Sequence, residues 1–185
     1  MVNIQDLLDD AKCYQTIRVM RWPDGVTCPR CSSDSVIKNG RDATQPDRQR
    51  YVCKGCRQRF DDLTDPIFAG HHQPLRTWIA CLYLMGLNQS GLQIAQELDI
   101  NKDDARAMIG QLRQGIVDRR PPVVLEGEVE CDEVSVVAAP ATGIPQESLP
   151  LYLGFFEFVP NVRARGKRLL GSLMGLLLTP PCNPS

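Results

Sequence analysis

Cys28-Pro29-Arg30-Cys31, then twenty-one residues, then Cys53-Lys54-Gly55-Cys56: this stretch decides the fold. Two C-x2-C knuckles at such a separation have the spacing of a zinc ribbon. Four thiolates placed this way close a tetrahedron around Zn2+ at about 2.3 Å from each sulfur, leaving no position open to substrate, so the metal is structural. The span between the knuckles predicts a small sheet. Ser35-Val36-Ile37-Lys38, Arg50-Tyr51-Val52 and Arg59-Phe60 read as short strands, with Asn39-Gly40 and Pro46-Asp47 in a loop joining the first two. So small a sheet buries too little apolar surface to hold itself, and the metal supplies folding energy on the order of 10 kcal/mol or more.

Two other chemistries use the same residues. Disulfides need an oxidising compartment, but Asp6, Asp9 and Asp10 stand where a secretory leader needs basic and apolar residues. A rubredoxin-like iron site uses similar knuckles, and spacing does not separate the two metals. Cys13, Cys81, Cys131 and Cys182 are scattered without ligand spacing and read as reduced, packed thiols of a cytoplasmic protein.

The overall charge of -1 says little, whereas its distribution is informative. From Arg18 to Arg59 there are ten Lys and Arg against four Asp, a net +6, while Pro121 to Ala139 holds five acidic residues and no basic one. A basic module ahead of an acidic one points to a polyanion for the first and metal or proton chemistry for the second. Arg30, Arg48, Arg50, Lys54 and Arg57 are the ribbon's candidate DNA contacts.

Taken in order, Ile4, Leu7, Leu8, Ala11, Tyr14 and Ile17 recur at helical spacing up to the Pro23-Asp24-Gly25 turn, predicting a helix that braces the ribbon. The connector from Asp61 to Pro74 carries His71 and His72, read as a polar linker beside an already complete four-cysteine set. A helix from Leu75 to Met85, ending at Gly86, presents Trp78, Ile79, Leu82 and Met85 to a core. Ser90 with Gln93 forms a capping box opening a short helix through Leu98. Asp99-Ile100-Asn101 turns into a third helix from Lys102 to about Ile116, which predicts a helix-turn-helix. Ala105, Met108, Ile109, Leu112 and Ile116 share one face of that helix, and Lys102, Arg106 and Arg113 fall outside it as candidate groove contacts. The alternative is a trihelical bundle with a merely solvated charged face, since Leu75 to Arg120 has six basic against five acidic residues.

After Arg119-Arg120-Pro121-Pro122 the pattern changes. Val123-Val124-Leu125 and Glu128 to Val137 read as strands, the second with Val129 and Cys131 on one face and Glu130 and Asp132 on the other. Carboxylates inside a β-branched run are costly to bury unless they bind something, so this is either an edge strand with a solvated face or the start of a metal-binding site.

Together, Arg21-Trp22-Pro23-Asp24-Gly25 leading into the first knuckle, the second knuckle, Pro74-Leu75-Arg76-Thr77-Trp78, the helix-turn-helix pattern and Gly127-Glu128-Val129-Glu130-Cys131-Asp132-Glu133 resemble bacterial insertion-sequence transposases of the zinc-ribbon, DDE type, over about residues 12–139. The resemblance implies N-terminal modules that bind the terminal inverted repeats of a mobile element in double-stranded DNA. It also implies an RNase H-like catalytic domain whose first catalytic Asp is Asp132, with Mg2+ or Mn2+ held by carboxylates for two-metal phosphodiester chemistry. The expected fold class is therefore multi-domain α+β: an N-terminal helix over 1–20, a ribbon over 21–62, a helix-turn-helix domain over 63–120, the first strands of an incomplete RNase H-like domain over 121–139, and a divergent, poorly ordered tail over 140–185.

The departure from the family lies in that tail. Beyond Asp132 no Asp follows, only Glu133, Glu147 and Glu157 remain, and seven prolines lie between Pro140 and Ser185. The roughly 60 residues after Pro121 are too few for a five-stranded RNase H-like sheet with its helices. The expectation is a transposase part truncated or frameshifted near residue 139, binding DNA without a complete active site. The alternative is a stand-alone regulator that competes for the repeats; a homo-oligomer or a full-length transposase are the protein partners expected. The apolar run Leu169 to Leu178 is too short to span a bilayer, and no membrane association is expected.

Overall fold

The computed structural model describes residues 9–64, 67–68, 73–119, 151, 155 and 169–178. Helix α1, Asp10–Arg21, starts where Asp9 accepts a hydrogen bond from the Ala11 N–H at 3.2 Å and stops at Trp22, ahead of Pro23. Three antiparallel strands follow, β1 (Val36–Arg41), β2 (Gln49–Cys53) and β3 (Arg59–Asp61), in the order β1-β2-β3. Their register pairs Val36 with Cys53, Ile37 with Val52, Lys38 with Tyr51, and Val52 with Arg59. Asn39-Gly40, expected in the loop, belongs instead to β1. The register shifts between Lys38 and Arg41, and Gly40 adopts φ +70° there, so the glycine serves a break in the strand pairing rather than the turn.

The inner face of this sheet holds Tyr51, Cys53 and Phe60, packed with Cys28 and with the partly buried Trp22, Val26, Val36 and Cys56. Trp22 meets Tyr51 edge to face at 5.6 Å between centroids, and Tyr51 stacks on Phe60 at 5.4 Å. This aromatic cluster supplies much of the small apolar area the ribbon can bury.

The helical unit consists of α2 (Leu75–Gly86), α3 (Gly91–Glu97), α4 (Lys102–Arg119) and α5 (Leu169–Leu178). The capping box is present: the Gln93 N–H donates to Ser90 Oγ at 3.3 Å and the Ser90 N–H donates to Gln93 Oε1 at 3.1 Å. Asp99, at φ +50°, turns the chain, and Asn101 Oδ1 accepts from the Asp103 N–H at 2.9 Å to open α4. As the periodicity predicts, Ala105, Met108, Ile109, Leu112 and Ile116 are buried.

One expectation needs correction and another is extended. The apolar run at 169–178 was expected to lie in a poorly ordered tail, yet α5 packs against α1, α2 and α4, burying Leu170, Leu173, Met174, Leu177 and Leu178. A ten-residue helix is marginal alone, but here the others give its apolar side a surface to cover. Gly86 and Gly115 make the seat close: a Cβ at Gly86 would fall 2.6 Å from Leu169 Cδ2, and one at Gly115 would strike Ile67 Cδ1 and lie 2.9 Å from Leu177 Cδ2. Gly86 is thus the last buried residue of α2 as well as its end. Helix α1, in turn, does more than brace the ribbon, since Cys13, Tyr14 and Ile17 sit in the same core as α2, α4 and α5. Ile4, Leu7, Leu8, His71, His72, the expected strands at 121–139 and the rest of the tail lie outside the described residues.

Candidate metal centre and nucleic-acid interface

Each knuckle is built by the same pair of backbone hydrogen bonds. In the first, Ser32 N–H donates to Cys28 O at 2.9 Å and Cys28 N–H to Ser33 O at 2.9 Å; in the second, Arg57 N–H donates to Cys53 O at 3.0 Å and Cys53 N–H to Gln58 O at 3.0 Å. Both residues that follow the second cysteine take positive φ, Ser32 at 55° and Arg57 at 59°. That left-handed step folds each knuckle back on itself and turns its two thiols to one side.

The four sulfurs of Cys28, Cys31, Cys53 and Cys56 lie within 4.8 Å of one another, with Cys28 Sγ 3.5 Å from Cys56 Sγ and Cys31 Sγ 3.6 Å from Cys53 Sγ. A tetrahedron with metal–sulfur bonds of about 2.3 Å needs sulfur–sulfur edges of about 3.8 Å. The residues therefore fit Zn2+, all four positions being filled by protein. The Cys56 N–H, the largest influence, holds the Cys53 thiol down to about 7. At Cys31 the Ser33 N–H pulls the thiol down, but the neighbouring sulfurs of Cys56 and Cys53 override it and push it up to about 12. A cation taking this site displaces the protons those sulfurs share.

The ribbon is locked to α1 through a buried carboxylate. Asp62 is fully buried and accepts from Arg18 Nε at 2.9 Å, Arg18 Nη2 at 2.7 Å, the Gln49 N–H at 2.7 Å and the Tyr51 hydroxyl at 3.2 Å. Arg18 Nη2 also donates to Asp47 O, and Arg21 Nη1 to Asp62 O at 2.9 Å. Sequence reasoning missed Asp62, which reads there as one more connector acid. Only the bidentate geometry with Arg18, 44 residues earlier, shows its role.

The candidate DNA contacts fall into two groups. Arg48 is engaged with Asp61 at 2.8 Å and Arg50 with Asp42 at 2.6 Å, so these two hold the β1–β2 connection and β3 together. Arg30, Lys54 and Arg57 are exposed, and no ion pair engages them among the described residues. On α4, Lys102 and Arg106 are exposed as expected, but Arg113 is not on the outer face. It is half-buried, its guanidinium carbon 5.9 Å from the Phe155 ring centroid, and its charge acts on the buried Cys81 thiol. The apolar stripe alone left Arg113 at its margin, and Phe155 lies beside its guanidinium.

Residues 8–59 match the transposase zinc-ribbon domain. The chain is also 32% identical over 139 residues to an uncharacterized protein in the transposable element ISH50 of Halobacterium salinarum, a match spanning 75% of this chain and 46% of that one. Over its N-terminal part the chain is thus similar to the zinc-ribbon domain of transposases and to a protein of a transposable element. It spans about half the length of that relative. No solved structure matches. The matched domain takes in α1 and the ribbon up to Arg59, the unit that Asp62 ties together. Asp132, the expected first catalytic carboxylate, lies outside the described residues. Among those residues the four cysteines are the one group of three or more His, Cys, Asp or Glu arranged to hold a metal ion. No described helix is long and apolar enough to cross a membrane.

Proposed function

We propose that this chain binds double-stranded DNA at the terminal inverted repeats of an insertion sequence, using a zinc-stabilised ribbon together with α2–α4 acting as a helix-turn-helix. The observation that carries this reading is the four-sulfur cluster inside a domain of transposase zinc-ribbon type. A structural metal fixes the knuckles and the exposed cations they bear, and phosphates supply the complementary charge. The Asp99–Asn101 turn and exposed Lys102 and Arg106 support α4 as the helix presented to the major groove. We further propose that the chain alone does not cleave DNA, because only Asp132 of the three carboxylates a DDE site needs stands in its expected sequence context.

A second reading, a stand-alone regulator that occupies the repeats and competes with a full-length transposase, is favoured by α5. That helix completes the helical core from within this chain. Both readings require DNA binding.

The test is fluorescence anisotropy with zinc-loaded protein and duplexes taken from the sequences flanking its own gene, against shuffled duplexes of equal composition. Preferential binding of the flanking duplexes, weakening steeply with salt, is the expected result. Equal, weak binding of both sets would refute recognition of element ends. Mg2+-dependent cleavage abolished by Asp132→Ala would refute the proposal that catalysis is absent.

A further inference from the structure

With the exception of the exposed Lys38 in β1, ion pairing splits the positive charge of the ribbon's sheet and knuckles by position. At the end of the sheet away from the cysteines, Arg41, Arg48 and Arg50 are bound to Asp47, Asp61 and Asp42, and Arg41 Nη1 also donates to Pro46 O at 2.9 Å. Their charge is neutralised within the ribbon. At the knuckle end, Arg30, Lys54, Arg57 and Arg59 are all exposed, and no ion pair holds any of them among the described residues. The acids nearest to them in sequence are the exposed Asp34, four residues after Arg30, and Asp61, two residues after Arg59 and already engaged by Arg48.

The register extends this surface over the outer face of the sheet. Strand β2 alternates, burying Gln49, Tyr51 and Cys53 and leaving Arg50 and Val52 outward. Val52 pairs with Ile37 on one side and Arg59 on the other, so Ile37, Val52 and Arg59 form one outward row beside the second knuckle. Ile37 is 46% exposed and Val52 partly so.

We propose that the ribbon meets duplex DNA through this knuckle end and the adjoining outer row, with Arg30, Lys54, Arg57 and Arg59 neutralising backbone phosphates and Ile37 packing against the sugar edge. Arg48 and Arg50, by contrast, are structural. The assignment rests on the DNA-binding reading above and names which part of the ribbon performs it. The occupant is a polyanion because, among the described residues, no ion pair neutralises the four cations that flank the row, the nearby Asp61 being held by Arg48, and each phosphate contact releases a condensed counterion.

The test is the slope of log affinity against log salt for the zinc-loaded full chain on flanking duplex. Arg30→Gln, Lys54→Gln, Arg59→Gln and Arg57→Asn, the last chosen because asparagine tolerates the positive φ of that position, should each make the slope shallower by about 0.9. Zinc content and melting temperature should stay at wild-type values. Arg48→Gln should lower the melting temperature and leave the slope unchanged. Slopes unmoved by the four knuckle-end variants but reduced by Arg48→Gln or Arg50→Gln would overturn the assignment while leaving DNA binding intact. Wild-type protein with no salt-dependent binding would instead remove the reading on which it rests.

Discussion

Replacing Asp62 with alanine should be among the most damaging single changes outside the cysteines. The carboxylate is fully buried, whereas the Arg18 side chain facing it is 28% exposed. Removing it deletes two oxygens that together accept from Arg18, the Gln49 backbone N–H and the Tyr51 hydroxyl. Arg18 loses its carboxylate partner while keeping its bond to Asp47 O, and the buried Gln49 N–H loses its acceptor. Breaking a buried pair by removing one partner costs about 3–5 kcal/mol, mostly because the other charge is left uncompensated. For a chain of this size, with roughly 2–4 °C per kcal/mol, that is a fall in melting temperature of roughly 6–20 °C. Calorimetry on zinc-loaded Asp62→Ala, Arg18→Ala and the double variant measures it. The double variant should be less destabilised than the sum of the singles, since the pair acts as one unit. Zinc stoichiometry should survive, because the lesion lies at the joint with α1 and not at the sulfurs. An Asp62→Ala variant within about 1 kcal/mol of wild type would refute the view that this carboxylate joins ribbon and helices.

Three further outcomes are expected. Gly115→Ala should destabilise, although alanine is the better helix former by about 1 kcal/mol, because Ile67 and Leu177 occupy the space its Cβ needs; Gly110→Ala, with nothing within 4 Å, should stabilise, and denaturant melts compare the two. Leu173→Ala, truncating a fully buried side chain of α5, should cost about 2–5 kcal/mol, and a cost near zero by the same melts would contradict the packing of that helix. The Thr44 hydroxyl, the Thr44 N–H and the Arg50 guanidinium hold the Asp42 carboxyl well below its ordinary value of 3.8. A depressed carboxylate contributes stability that is fully present above the unfolded value and lost as pH falls through the folded one. The Asp42 carboxyl resonance should therefore show no titration around 3.8, and Asp42→Asn should remove this acid-sensitive contribution.

The metal site was legible because four cysteines at fixed spacing leave few geometric choices, and the capping box at Ser90 because it is a local exchange of two hydrogen bonds. The core side of α4 followed from period alone. What the sequence hid were long-range partners. Nothing local distinguishes Asp62 from Asp61, or Arg48 and Arg50, which are ion-paired, from Arg57 and Arg59, which no ion pair holds among the described residues, since the acids concerned are brought in by the fold of the ribbon. Arg113 was misplaced for the same reason, its neighbour Phe155 lying 42 residues away in a stretch with no helical pattern. Residues 169–178 looked like surplus apolar sequence because the seat they fill is assembled from α1, α2 and α4, with Gly86 and Gly115 as its close points.

Zinc-coupled DNA binding tests the central claim most directly. The full chain is titrated onto flanking duplex as purified, after chelation, and after zinc is returned, with bound metal measured in each state. One zinc per chain, loss of binding on chelation and recovery with zinc, and none of these in Cys28→Ser, is the predicted result. Undiminished affinity in the metal-free protein would contradict it.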